Sequence, residues 1–170
     1  MLLQLLLIVA VACASDTEPL AQRLQESVKL PAEGSKDGFG VLFFVYAMQP
    51  VDVERFLYLA LASARTYAAS SPSLPLAIAI SHPELMTHKT HPFAHVLTIP
   101  AVTVFAGRQW VTRVLSLALT PFKLTLAVDS DTLCCADLSV PMRTLYDEGP
   151  SFDFAANGAS LSSVVFSVTL

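Results

Sequence analysis

Charge is scarce in this chain. Asp, Glu, Lys and Arg make up 14% of its 170 residues, against 54% hydrophobic ones. That balance excludes general disorder and supplies a sizeable core for one domain. The few Lys and Arg residues form no basic patch and the formal net charge is -4, so nucleic acid is not expected as a partner. Cysteine is scarcer still. Cys13 lies near the N-terminus, and Cys134 and Cys135 are adjacent, a spacing whose geometry rarely closes a disulfide. A disulfide scaffold is therefore excluded, and the pair reads as small residues buried just after a strand. The single Trp beside ten Phe fits a packed core and discriminates nothing further. No internal repeat is present.

The N-terminus has the layout of a targeting segment. Leu2 to Ala12 is apolar except for Gln4, and Ala12-Cys13-Ala14 forms a small-residue cleavage pattern before polar Ser15-Asp16. No Lys or Arg precedes the run, and it is shorter than the about 20 residues a membrane span needs. Residues 1–14 are expected to be a signal peptide or a short anchor. The expected compartment is the secretory pathway, either the Golgi or ER lumen or outside the cell, with membrane association through the N-terminus as the anchored alternative. Residues 15–38, with Pro19, Pro31, Gly34 and Gly38, read as a stem or linker carrying a short helix on Leu20, Leu24 and Val28. Residues 39–170 read as the folded domain.

Within that domain strands and helices alternate. Phe39 to Met48 is a continuous apolar run rich in β-branched and aromatic residues, which predicts a central strand. Asp52 is expected to cap the following helix. Val53, Leu57, Leu61, Ala64 and Ala68 recur at helical spacing, with Phe56, Leu59, Ser63 and Tyr67 as a second stripe, so a broadly buried helix is expected up to Ser70-Ser71-Pro72. Leu74 to Ile80 predicts a second strand. Strand, helix and strand with short connections make a βαβ unit and a sheet that is at least partly parallel. Ser81 to His95 predicts a surface loop. Its His88, His91 and His95 have a zinc-like spacing, but Pro83 and Pro92 break any helix that would align them. Val96 to Ile99 is a third strand, with 100–105 as an extension or an edge piece. A helix over 107–119 follows, ended by Pro121.

Leu124-Thr125-Leu126-Ala127-Val128 then reads as a strand buried on both faces, as in parallel sheets, and runs directly into Asp129-Ser130-Asp131-Thr132. Ligands of open α/β sheets bind beyond the carboxyl ends of the strands. Two carboxylates at i and i+2 diverge in extended backbone, but a turn at Ser130 brings both toward one cation. Hard oxygen ligands suit Mn²⁺ or Mg²⁺, especially when phosphate oxygens complete the shell. A plain solvated turn has the same composition. Beyond it, Asp137 is expected to cap a helix through Tyr146, Phe152 to Ala156 reads as a strand, and the tail from Ala159 is apolar and β-prone.

The run Trp110, Arg113, Thr120-Pro121-Phe122, Thr125-Leu126, Val128-Asp129-Ser130-Asp131-Thr132 and Cys134 resembles the nucleotide-diphospho-sugar transferases of the glycosyltransferase A-type fold. There a helix with a basic residue leads through a Pro-Phe turn and a strand into the Asp-x-Asp motif. Phe152-Asp153-Phe154-Ala155 looks like the strand that follows. The similarity spans roughly Phe39 to Ala156. It implies a Rossmann-like, mostly parallel α/β sheet with flanking helices, and transfer of a sugar from a nucleotide-diphosphate donor, UDP-linked by expectation, to a glycan or protein acceptor. It implies that Asp131 binds Mn²⁺ or Mg²⁺ and that Asp129 binds the metal or the ribose. Arg113 would neutralise the diphosphate or hold Asp129. Tyr46 and Ala47 would line the nucleoside site, with Ser130 in the same donor-binding set.

Haloacid-dehalogenase-type phosphatases share the look of strand plus acids, but Thr132 follows Asp131 too closely for their pattern. The favoured family normally continues well past its Asp-x-Asp strand, where it carries acceptor residues, a catalytic base and often a metal-binding His. All four histidines here precede Asp131, so the expectation is a donor half with an incomplete acceptor half. Two functions follow: a metal-dependent glycosyltransferase or its donor-binding part, or a non-catalytic secreted α/β domain that keeps the fold without turnover.

Overall fold

The computed structural model describes residues 36–47, 49–87, 90–99 and 109–148, and the strands at 154–156 and 163–167. The expected signal segment, nearly all of the stem, His88 and residues 100–105 lie outside the described residues, as does the side chain of Trp110. Among the described residues no helix is long and apolar enough to cross a membrane.

Chain order runs β1 (Phe39–Val45), α1 (Pro50–Ser70), β2 (Leu76–Ile80), a 3-10 turn (Pro83–Met86), β3 (His95–Thr98), α2 (Gln109–Leu119), β4 (Leu124–Val128), α3 (Ser139–Asp147), β5 (Phe154–Ala156) and β6 (Ser163–Ser167). The six strands form one sheet in the order β3-β2-β1-β4-β6-β5. β3, β2, β1 and β4 are mutually parallel, whereas β6 runs antiparallel to β4, and β5 to β6. The expected α/β class with a Rossmann-like, mostly parallel sheet is what the chain adopts.

The order 3-2-1-4 places a topological switch point between β1 and β4. The chain leaves β1 in one direction to reach β2 and β3, then returns across the sheet to β4 on the other side of β1. Right-handed crossovers in opposite directions must lie on opposite faces. The core divides accordingly. Val41, Phe43, Val45, Leu76, Ile78, Ile80, Leu124, Leu126 and Val128 pack with α1 and with Met142 of α3. Leu42, Phe44, Ala77, Ala79 and Ala127 pack on the other face with Leu117 of α2, Ile99 and Phe122. Strand alternation alone separates the two sets.

Several local expectations are corrected. Asp52 is not the cap of α1: the helix begins at Pro50 after an extended Gln49, and Asp52 sits inside the first turn. Proline presets the helical φ and lacks only an N–H that would be orphaned there, so the start moves three residues back, with Gln49 at the cap. The second strand begins at Leu76, because Leu74 is held in the preceding turn by a bond to the Ser71 carbonyl. The loop after β2 contains a 3-10 turn, and His95 already belongs to β3. The second stripe of α1 divides: Ser63 and Tyr67 are buried, but Phe56 and Leu59 are 40% and 43% exposed. Cys134 is buried, whereas Cys135 is exposed.

Candidate functional site

The carboxyl ends of β1 and β4 lie side by side. Phe43 is level with Val128 in the ladder, so Asp129 follows level with Phe44. Alternation then points Asp129 to the face that carries Leu42 and Phe44, and Tyr46 continues the same parity on β1. This is the face covered by α2, whose second turn carries Arg113. The three side chains meet there. Arg113 donates from Nη2 to Asp129 Oδ1 in a very short ion pair. Its guanidinium lies 5.6 Å from the ring centroid of Phe44, within cation–π range. It also donates to the Tyr46 hydroxyl.

The electrostatics follow from this packing. Burial pushes the Tyr46 phenol above its ordinary value, and the hydrogen bond and charge of Arg113 oppose that only in part. Burial alone would ease the proton off Arg113, but the Tyr46 bond and the Asp129 carboxylate outweigh it and raise its pKa. The cluster sets the Tyr46 phenol, the Arg113 guanidinium and the Asp129 carboxyl group side by side at the switch point, with the Arg113 and Asp129 side chains 45% and 28% exposed.

Past Asp129 the backbone turns as expected at Ser130. The Thr132 amide donates to the Asp129 carbonyl over 3.3 Å and the Thr132 hydroxyl donates to the same oxygen over 2.9 Å. Ser130 is half-buried within that turn, and Asp131 is exposed beside it. Of the expected donor-binding set, then, Tyr46, Arg113 and Asp129 are in contact, and Ser130 and Asp131 adjoin them. Ala47 does not join that cluster. It packs toward α1, on the opposite face, and its backbone is clipped to Ser81: its amide donates to Ser81 Oγ and its carbonyl accepts from the same hydroxyl, each over 3.3 Å.

Neither a family model nor a curated protein matches the chain. No group of three His, Cys, Asp or Glu side chains converges among the described residues. The described loop histidines make packing contacts and local bonds. His82 Nδ1 is 2.8 Å from Glu84, His91 stacks obliquely on Phe93, and His95 meets Phe122 edge-on.

A second group of residues, on α1, holds the segment that follows the turn. Ser63, Thr66, Tyr67 and Ser70 line one stripe of α1, Ser71 follows at its C-terminal cap, and together they bind the segment from Thr132 to Leu138. Ser63 Oγ donates to the Thr132 carbonyl, and Tyr67 Oη donates to Thr132 Oγ1 over 3.4 Å. The Cys134 amide donates to Thr66 Oγ1 over 2.9 Å, Ser70 Oγ to the Cys134 carbonyl over 3.1 Å, and the Leu138 amide to Ser71 Oγ over 2.9 Å. The signal was there: hydroxyls at helical spacing on a face otherwise committed to burial.

Proposed function

We propose that this chain binds a nucleoside diphosphate-sugar together with a divalent cation at the carboxyl ends of β1 and β4, and acts as a glycosyltransferase or as its donor-binding part. The observation that carries the reading is the meeting of Tyr46, Arg113 and Asp129 at the switch point, with Asp131 exposed beside them. Crevices of this kind are where doubly wound sheets take nucleotides. Arg113 brings a fixed positive charge that suits a diphosphate. Asp129 is pinned by it, leaving one carboxylate oxygen outside the ion pair.

The donor set suits Mn²⁺ or Mg²⁺ in one circumstance. Asp131 and the second oxygen of Asp129 are hard ligands, but they are too few to hold such an ion unaided. Magnesium-like ions are held by one or two carboxylates with waters and substrate phosphates completing the shell. When bound, the cation would neutralise charge on the departing diphosphate. The residues here would do the rest: Asp131 would hold the ion, Arg113 would fix Asp129 and stand near the phosphates, and Tyr46 would keep Arg113 from swinging outward. UDP is the expected nucleotide, the secretory lumen the expected compartment, and a glycan or protein the expected acceptor.

A non-catalytic donor-binding domain is the second reading. It is favoured by the self-contained pairing of Arg113 with Asp129 and Tyr46. Thermal shift of the chain with UDP and Mn²⁺, separately and together, tests the binding site both readings share. A ligand specific for the folded state stabilises by about 2.7 kcal/mol at a hundredfold excess over its Kd. The expected result is a rise in Tm that needs both ligands and disappears in Asp131→Ala. A well-folded protein that shifts with neither would leave Asp129-Ser130-Asp131 as an ordinary turn. Sugar transfer or donor hydrolysis by the same preparation separates the enzyme from the non-catalytic domain.

A further inference from the structure

The turn from Asp129 to Thr132 is held from both faces of the sheet. On the α2 face Arg113 grips the Asp129 side chain. On the α1 face Ser63 and Tyr67 grip Thr132. We infer that Ser63 and Tyr67, acting through Thr132, are positioning residues that aim Asp131 at its cation. This rests on the donor-site reading above.

The hydrogen bonds of Thr132 make the case. Its amide and its hydroxyl both donate to the Asp129 carbonyl, closing the turn. Its hydroxyl oxygen accepts from Tyr67, and Ser63 Oγ lies 3.5 Å from it. Its carbonyl accepts from Ser63. Ser63 is 2% exposed and Tyr67 5% exposed, so neither hydroxyl is free to turn to water. The Tyr67 ring is itself fixed, edge-on to Phe43 with centroids 5.3 Å apart. Phe43 lies in the middle of the sheet, level with Val128. A rigid path therefore runs from the core through Tyr67 and Thr132 to the carbonyl of Asp129. Asp131 lies between the two fixed points, two residues after Asp129 and one before Thr132. Its carboxylate is exposed, yet its backbone has little freedom. A site works when its ligands are held near the productive geometry by groups that are themselves locked.

Mn²⁺ titration of the full chain at saturating UDP, read by the electron paramagnetic resonance of free Mn²⁺, tests this. Thr132→Val keeps shape but removes the hydroxyl, Thr132→Ser restores it, and Ser63→Ala removes the bond to the carbonyl. Losing one such bond is expected to weaken Mn²⁺ binding roughly three- to tenfold. Thr132→Val and Ser63→Ala should both show that loss, and Thr132→Ser should stay within about twofold of the unmodified protein. Tyr67→Phe keeps the packing on Phe43 and should weaken binding about two- to threefold, since its 3.4 Å hydrogen bond is a long one. It is the fallback if Thr132→Val does not fold. Unchanged Mn²⁺ affinity in Thr132→Val and Ser63→Ala would overturn the inference while leaving the donor site standing. Equal weakening in Thr132→Ser and Thr132→Val would also overturn it, because the hydroxyl would then be irrelevant. Absence of Mn²⁺ binding in the unmodified protein with UDP would overturn the donor-site reading, and this inference with it.

Discussion

Lys36 is the residue most at odds with its surroundings. It is 6% exposed, and its Nζ has no hydrogen-bond partner among the described residues. Burial holds its ammonium below the ordinary lysine value. Below the folded pKa both folded and unfolded chains carry the charge, so the native state bears the full desolvation penalty. As pH rises toward 10.5, the native state releases its proton first and the penalty shrinks. Lys36→Met is therefore expected to stabilise the protein at pH 7 by about 1 kcal/mol, with a smaller gain near pH 10. Urea denaturation at the two pH values measures this, and an unchanged midpoint at pH 7 would mean that the amine is solvated. Arg113 is the contrasting case: its side chain is 45% exposed, and it has Asp129, Tyr46 and the face of Phe44 to answer its charge.

At the level of elements, β1 is the strand on which the site depends, and two glycines set its start. Gly38 adopts φ +62, a conformation that side chains disfavour, and its carbonyl accepts from the amides of Lys123 and Leu124. That turn aligns β1 with β4. Gly40 leaves a gap into which Phe122 packs. A Cβ there would lie 2.5 Å from the Phe122 ring and 2.7 Å from the Pro75 carbonyl oxygen. The ring can rotate away, but the backbone oxygen cannot move without shifting the start of β2. Gly40→Ala is thus expected to destabilise by about 2 kcal/mol, as overpacked cores do, read as a lower denaturation midpoint. The Pro-Phe turn noticed in the sequence owes its packing to this glycine, a pairing across 82 positions that no local pattern displays. The hydroxyl stripe of α1 has the same character. Its helical spacing is visible in the sequence, but its partners from Thr132 to Leu138 are not.

For the molecule as a whole, one sheet separates two cores. Val53 of α1 lies in one and Ile99 in the other. Val53→Ala and Ile99→Val should cost about 2 and about 1 kcal/mol, and the double variant should equal their sum within about 0.5 kcal/mol. A larger coupling in a double-mutant cycle would mean that the sheet passes strain between its faces. The sequence by itself determined the alternation of strands and helices, the apolar strand leading into Asp129, and the turn that follows. Those are set by periods of 2 and 3.6 residues and by the local preferences of Pro, Gly and Asp, which act over a few positions. Tertiary structure decided the order of the strands, the face each helix covers and the antiparallel return of β6 along β4. It alone joined Arg113 to Asp129 and Tyr46 and bound Thr132 to α1. The reason is that these contacts depend on the direction in which the chain crosses the sheet, and residue type and spacing do not record that direction.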